Sequence, residues 1–295
     1  MSASPDAPRL LRDQSGGFGA AWSAGLRAVP EPELEAWLAL ALAICDETDP
    51  IARSVFRRDV EIRTKPDRTF VTQADTAVER TIRSRILAAF PDHGLVGEEY
   101  GIEAGDARTR WYIDPIDGTH NFIRGVPVFG TLLAVEHDGE LQAGVISAPA
   151  LHERWWASRG GGAWAQGLDD DAPRRIAVSG IASLDDAQVL FGASADIDRS
   201  GAAPGFRELL RSVWRERGLG DFWGYALLAE GAAEAMVEVD LSAWDLAAPL
   251  VIVEEAGGRV TDFGGRRALD SGTVLATNGV VHEEVRRRLL EVPPA

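Results

Sequence analysis

Cysteine is almost absent from the 295 residues: Cys45 stands alone, which excludes an intramolecular disulfide and a cysteine-based zinc site and suits a reducing cytoplasm. Long apolar runs are missing as well. No stretch approaches the roughly 20 residues that a membrane-spanning helix needs, and the opening MSASPDAPRLLRDQSGGFGAAW has no basic segment leading into an apolar core, so no export signal is expected. Positive charge is scarce, with 30 Lys and Arg against 46 Asp and Glu and a formal net charge of -16. That balance argues against nucleic acid or an anionic membrane as partner. It leaves phosphorylated small molecules open, because a bound divalent cation reverses the field locally. Histidine is sparse too, and His93, His137, His152 and His282 show no metal-ligand spacing.

What remains is ordinary globular material, 45% hydrophobic and 26% charged, long enough for one large domain or two of middle size. Residues 1–29, rich in Ser, Pro and Gly, read as a loose tail. From Pro30 onward Leu34, Trp37, Leu38, Ala41, Leu42 and Cys45 recur at helical spacing, with Cys45 in the core; Pro50 predicts a kink or stop before a second helical piece at 51–57. Lys65, Pro66 and Asp67 mark a turn before a strand at 69–72, and a long helix follows with Asp75 near its start. Strands at 128–135, 141–147, 153–157 and 163–166 predict a large antiparallel sheet backed by the N-terminal helices. The Asp-rich stretch 167–173 is the expected boundary between an α+β domain, 30–166, and an α/β domain, 167–295. In the second, strands at 176–178, 188–191 and 235–239 alternate with helical stretches at 206–217 and 222–229.

The stretch richest in chemistry is WYIDPIDGTHNF, residues 111–122. Trp111, Tyr112 and Ile113 read as a buried strand that gives a turn a rigid base. Asp114 and Asp117 offer carboxylate oxygens of the kind Mg²⁺ takes, with Pro115 stiffening the loop between them. Gly118 permits close backbone approach, and a short helix opening at Thr119 would aim free amides at an anion. The three-residue spacing excludes the Asp-x-Asp-Gly-Thr loop of aspartyl-phosphate phosphatases, and the EF-hand pattern is absent after Asp114. Elsewhere Asp75 reads as a helix cap, Glu98 in GLVGEEYG as a loop acid that a hairpin-like neighbour would bring to Asp114, and Asp245 in WDLAAPLVIVEEAGG as a helix start. Taken singly, each has an ordinary structural explanation.

Jointly and in this order, FVTQAD, GEEYG, WYIDPIDGTHNF and WDLAAPLVIVEEAGG resemble the inositol monophosphatase family of Mg²⁺-dependent, lithium-sensitive phosphatases, over about 34–290. The resemblance implies an α+β fold, a layered α/β/α/β/α sandwich shared with fructose-1,6-bisphosphatase, with the site between its two halves. It implies that Glu98, Asp114 and the Ile116 carbonyl hold one ion, that Asp114, Asp117 and Asp245 hold a second, and that a third shares Glu98, giving two to three Mg²⁺ in all. Thr119, supported by Asp75 and working with Glu98, would deprotonate the attacking water. The amides of Gly118 and Thr119 would receive the phosphate, and no phosphoenzyme would form.

NFIRGVPVFG and GDFWGYALLAEG look more similar to the histidinol-phosphate phosphatase branch than to the inositol branch. On that reading the substrate is L-histidinol phosphate, Asp221 holds its ammonium or imidazole, and Glu238 lies on the substrate side. The plainer reading of Asp221 is a helix cap before Phe222. His120 stands where members of the family often carry Lys, Thr or Ser, so a cationic contact to phosphate there requires a protonated imidazole, and Arg124 reads as a solvated arginine after a short helix, with substrate contact as the alternative. The alternatives are an inositol-1-phosphate or broad-specificity phosphatase and, outside enzymes, a sensor of phosphorylated ligands. A cytoplasmic homodimer is the expected form.

Overall fold

A computed structural model of the chain describes residues 29–292 apart from 59, 67–68, 106–107 and 168. The loose tail expected over 1–29 therefore lies outside the described residues except for Val29. The first half contains α1 (Glu31–Val55), β1 (Ile62–Thr64), β2 (Phe70–Thr72), α2 (Gln73–Ala89), β3 (Gly94–Gly97), β4 (Gly101–Glu103), β5 (Thr109–Asp117) and α3 (Thr119–Arg124). A run of strands follows: β6 (Gly130–His137), β7 (Glu140–Ala148), β8 (Glu153–Ser158), β9 (Gly162–Gln166) and β10 (Arg174–Ile176). The remainder forms β11 (Gln188–Phe191), α4 (Ser194–Ser200), α5 (Phe206–Arg211), β12 (Arg215–Arg217), α6 (Asp221–Ala229) and β13 (Ala235–Val239). It ends in α7 (Ala243–Glu255), β14 (Arg259–Thr261), β15 (Thr273–Thr277) and α8 (His282–Leu290).

Alternation along the strands builds the layers. In the large sheet, ordered β10-β9-β8-β7-β6-β5-β3-β4, the side chains of Trp111, Ile113, Leu133, Val135 and Val145 face α1 and α2. Their neighbours Tyr112, Leu132, Ala134 and Ile146 face the other way, against α6 and α7. The second sheet, ordered β12-β11-β13-β15-β14, turns Leu190, Met236 and Val274 to those same two helices and Val189, Val237 and Leu275 to α4, α5 and α8. Five layers result, helix, sheet, helix, sheet, helix, which is the sandwich expected. Helix α7 is its middle: residues Leu246, Ala247, Ala248, Pro249, Leu250, Val251, Ile252 and Val253 are all buried, as befits a helix covered on every side. Among the described residues no helix is long and apolar enough to cross a membrane.

Three details differ from the sequence reading. Helix α1 runs unbroken through Pro50. One apolar stripe, Trp37, Ala41, Ile44, Cys45 and Ala52, packs along its length on both sides of the proline, and Arg154 ties it to β8 by donating to the Leu42 carbonyl at 3.4 Å and to Asp46 at 2.8 Å. The helix expected over 206–217 stops at Arg211, and Arg215–Arg217 is an edge strand parallel to β11, held by backbone pairing that its exposed charges do not advertise. The strand expected at 176–178 forms at Arg174–Ile176 and pairs with β9 at the edge of the large sheet.

At the start of α8, His282 is buried between two hydroxyls, with Nε2 3.0 Å from Thr261 Oγ1 and Nδ1 2.9 Å from Thr277 Oγ1. Thr261 donates its own hydrogen to the Asp262 carbonyl, so its oxygen takes the Nε2 hydrogen and leaves Nδ1 as an acceptor. Burial first, and then Arg259, pushes the imidazole pKa down to about 4. The unfolded chain takes up this proton near pH 6.5, before the fold does. The stability that His282 contributes is therefore full above that pH and is lost as pH falls toward about 4. Urea midpoints should drop by an equivalent of about 2 kcal/mol between pH 7 and pH 5 from this group. His282→Asn should flatten that slope, and an unchanged slope in the variant would refute the assignment.

Candidate metal centre

The aspartates of the WYIDPIDGT segment do not lie in a turn, as the sequence suggested; β5 continues through both. Residues three apart on a regular strand point to opposite faces. Here the register with β6 slips, Asp114 opposing Leu132 and Asp117 opposing Gly130, so that a bulge at Pro115 and Ile116 brings both carboxylates to one side. Pro115 has no N–H to give the ladder, and its carbonyl is taken instead by the Thr131 hydroxyl at 2.9 Å. Asp114 Oδ1 accepts from the Ile116 amide at 3.0 Å, which fixes its rotamer.

Glu98 reaches the same place by parallel pairing, not by the hairpin expected. Strand β3 runs beside β5 in the same direction, Gly97 opposite Ile113, and the Glu98 amide donates to the Ile113 carbonyl at 3.1 Å. Both strands thus end at one edge of the sheet, where ligands of parallel strands collect. Lys65, noticed in the sequence only as a turn residue, bridges Glu98 at 2.8 Å and Glu99 at 2.7 Å.

Asp75 is completely buried at the third position of α2, its Oδ2 bonded to the Thr72 amide at 2.9 Å and to the Thr72 hydroxyl in a capping box. Its Oδ1 looks across to Thr119 Oγ1 at 3.4 Å. That hydroxyl also lies 3.0 Å from the Ile116 carbonyl. Gly118 holds φ 78°, and a Cβ there would stand 3.0 Å from the Val128 carbonyl, so the tight entry to α3 requires glycine.

Asp245 arrives from the other half of the chain at the third position of α7, with Oδ2 accepting from the Ser242 amide at 2.7 Å. One oxygen of Asp114, Asp117 and Asp245 each lies within 4.8 Å of the others. Burial raises the pKa of Asp114 well above the usual carboxylate range, as do Glu98, Asp117 and Asp245 after it. Burial and then Asp221 do the same to Asp117, and Asp245 is pushed up to about 6 by burial, with Glu98 adding to the rise. The neighbours that raise these groups are carboxylates. A close cluster of hard oxygen donors under mutual repulsion fits a divalent cation of the Mg²⁺ type.

The substrate-side candidates adjoin the cluster. Asp221 opens α6 at φ 56°, its Oδ2 accepting from Asn121 Nδ2 at 3.0 Å, and the Phe222 amide donates to Asp117 at 2.6 Å. Asp221 is raised by burial and held back by His120, which stands exposed against the edge of Phe70. Glu238 is buried, bonded to the Asp221 amide at 3.2 Å and the Tyr225 hydroxyl at 2.8 Å, and burial lifts its pKa to about 8. Arg124 is exposed at the end of α3. Asn121 and Tyr225 escaped the sequence reading, because an amide and a phenol within helical patterns carry no motif of their own.

A family model described as the inositol monophosphatase family matches residues 33–292. A protein of Mycobacterium tuberculosis named histidinol-phosphatase is 46% identical over 253 residues, covering 85% of this chain and 97% of its own. Another of that name, from Streptomyces coelicolor, is 42% identical over 253 residues, covering 84% and 94%. Among solved structures, an IMPase of Thermotoga maritima superposes with a TM-score of 0.78 at 33% identity, over 87% of this chain and 98% of its own. The bulged pair of aspartates, the acid carried in from α7 and a sequence match over nearly the whole described chain lead to one statement: the chain belongs to the inositol monophosphatase family.

Proposed function

We propose that the protein is a phosphoric monoester hydrolase that converts L-histidinol phosphate to L-histidinol and phosphate with Mg²⁺. The observation that carries the chemistry is the gathering of Asp114, Asp117 and Asp245 within 4.8 Å, beside the left-handed turn at Gly118 that opens α3. Asp114, Asp117, Asp245, Glu98 and the Ile116 carbonyl would hold two to three ions. Bound there, Mg²⁺ supplies charge neutralisation at the phosphoryl and leaving oxygens and lowers the pKa of an attacking water. The chain does the rest. The amides of Gly118 and Thr119 receive phosphate oxygens. Thr119, held by the Ile116 carbonyl at 3.0 Å with Asp75 at 3.4 Å as the alternative acceptor, accepts a hydrogen bond from the water and orients it toward phosphorus, with Glu98 beside it.

For the alcohol half of the substrate, the support is the name borne by the two bacterial relatives together with the acids around the cluster. Asp221 suits a cationic amine or imidazole, whereas inositol offers only hydroxyls, and Glu238 stands behind it, accepting from the Asp221 amide at 3.2 Å. Phosphate release from histidinol phosphate and inositol 1-phosphate, each with and without Mg²⁺, tests the choice; turnover of the inositol ester alone would end it. Asp221→Asn should raise KM for histidinol phosphate about 10-fold to 100-fold, the worth of one charge-assisted hydrogen bond, and leave a phosphate ester of an uncharged alcohol, such as glycerol 2-phosphate, within about twofold. An equal effect on both esters would leave Asp221 a structural role as the acceptor for Asn121; it is not the helix cap expected from the sequence, since Gly220 holds that position and, among the described residues, the Asp221 side chain bonds no amide of α6. A cytoplasmic homodimer belongs to the same proposal, and equilibrium sedimentation reads its second half.

A further inference from the structure

Glu79 is fully buried on α2, one turn beyond Asp75. Its Oε2 accepts from the Glu99 amide at 2.7 Å and its Oε1 from the Tyr100 amide at 3.2 Å, so one carboxylate holds the two successive amides that follow Glu98. Arg83, a further turn along, donates to Glu79 Oε1 at 3.1 Å and to the Gly101 carbonyl at 3.2 Å, closing the far side of that turn. Gly97 leaves the necessary room, since a Cβ there would stand 2.0 Å from Glu79 Oε1. The near side is fixed by the bond from the Glu98 amide to β5.

Turns between paired strands ordinarily close through their own backbone. Burying a carboxylate to close one costs several kcal/mol of desolvation, and an apolar packing of the same volume is often as stable. Stability alone therefore gives a poor account of Glu79. Its placement gives a better one: four residues apart on one helix face, Asp75 and Glu79 project side by side. One rigid helix thereby sets both the partner of the Thr119 hydroxyl and the turn that carries Glu98.

We propose that Glu79 is a positioning residue that fixes the Glu98 carboxylate relative to Asp75 and Asp114. The inference rests on the reading of Glu98 as a ligand for magnesium and water. Glu79→Gln keeps the size but turns an NH₂ toward an amide that needs an acceptor. Hydrogen exchange at the Glu99 and Tyr100 amides should accelerate about tenfold or more as the clamp is lost. Calorimetric titration of the metal-free protein with MgCl₂ should show affinity weakened about tenfold, and kcat should fall about 10-fold to 100-fold with KM changed less than about threefold.

Glu234→Gln is the matched control: that carboxylate is equally buried, holds the Gln188 amide at 2.6 Å and the Ser179 hydroxyl at 2.7 Å, and lies away from the cluster on β13's approach. It should lower the melting temperature and leave the magnesium titration unchanged. If Glu79→Gln does not fold, Glu79→Asp, too short to reach both amides, takes the same measurements. A folded Glu79 variant with wild-type magnesium titration and kcat, altered only in melting temperature, overturns the proposal. Glu98→Gln separates the two levels: an unchanged titration there condemns the reading of Glu98, whereas weakened binding there without a Glu79 effect condemns the positioning role alone.

Discussion

Asp114→Asn should lower kcat by about three orders of magnitude and yet, in magnesium-free buffer, raise the melting temperature. Asparagine keeps the oxygen that accepts from the Ile116 amide, so the bulge in β5 survives. What disappears is one of three carboxylates crowded within 4.8 Å. Two unit charges at that separation repel by roughly 3 kcal/mol at an effective dielectric constant near 20, and partial protonation of the raised carboxyls reduces this to about 1–2 kcal/mol in the wild type. A chain of this size should convert that relief into a shift of about 2–5 °C. Added MgCl₂ should reverse the order, stabilising the wild type by mass action and the variant far less. Thermal unfolding with and without the ion measures both halves. Retained turnover, or a variant less stable in the metal-free state, would show that the cluster is a structural feature and not a cation site.

Thr119→Ala should cost about 10²–10³ in kcat, the usual worth of a group that aligns and deprotonates a nucleophile, with little change in stability. The hydroxyl has a single hydrogen and two acceptors in reach, the Ile116 carbonyl at 3.0 Å and Asp75 at 3.4 Å. The shorter contact takes it in this structure; the longer is beyond the normal range for O–H···O. Donation to Asp75 instead would let the hydroxyl hand its proton to a carboxylate, a transfer the Ile116 carbonyl cannot accept, as the hydroxyl oxygen takes one from the water. Thr119→Ser keeps the hydroxyl and should recover most of the rate, while Asp75→Asn should fall near the alanine variant. The test also divides an enzyme from a sensor of phosphorylated ligands. Phosphate affinity persisting in the alanine variant while turnover vanishes favours the enzyme, and a wild type that binds without turnover favours the sensor.

The sequence was most readable where pattern and motif coincide. The helix with Asp75 near its start and the helix opening at Asp245 are where they were expected, and the ordered acids announce the layered fold through the resemblance they carry. Long-range pairing was not readable. Parallel alignment of β3 with β5 depends on β4 folding outward to the sheet edge, and Gly101–Glu103 carries no signal for that. Residues acting through buried hydrogen bonds were equally silent: Lys65 looked like turn punctuation, and nothing in the helical pattern singled out Glu79. The bulge in β5 was misread because Asp, Pro and Gly together are the vocabulary of turns, whereas here they bend a strand that tertiary packing keeps in the sheet.

The central layer has a consequence for biosynthesis. Asp114 and Asp245 are separated by about 130 residues, so at 5–20 residues per second a ribosome needs roughly 7–26 s to deliver the second after the first. Once β6, β7 and β8 have followed β5, and until Asp245 and its helix are made, the face of the large sheet formed by Tyr112, Leu132, Ala134, Ile146 and Trp155 lacks α7, its cover. The nascent chain thus presents an apolar sheet face and an incomplete cluster of carboxylates together, and the docking of one helix ends both conditions at once.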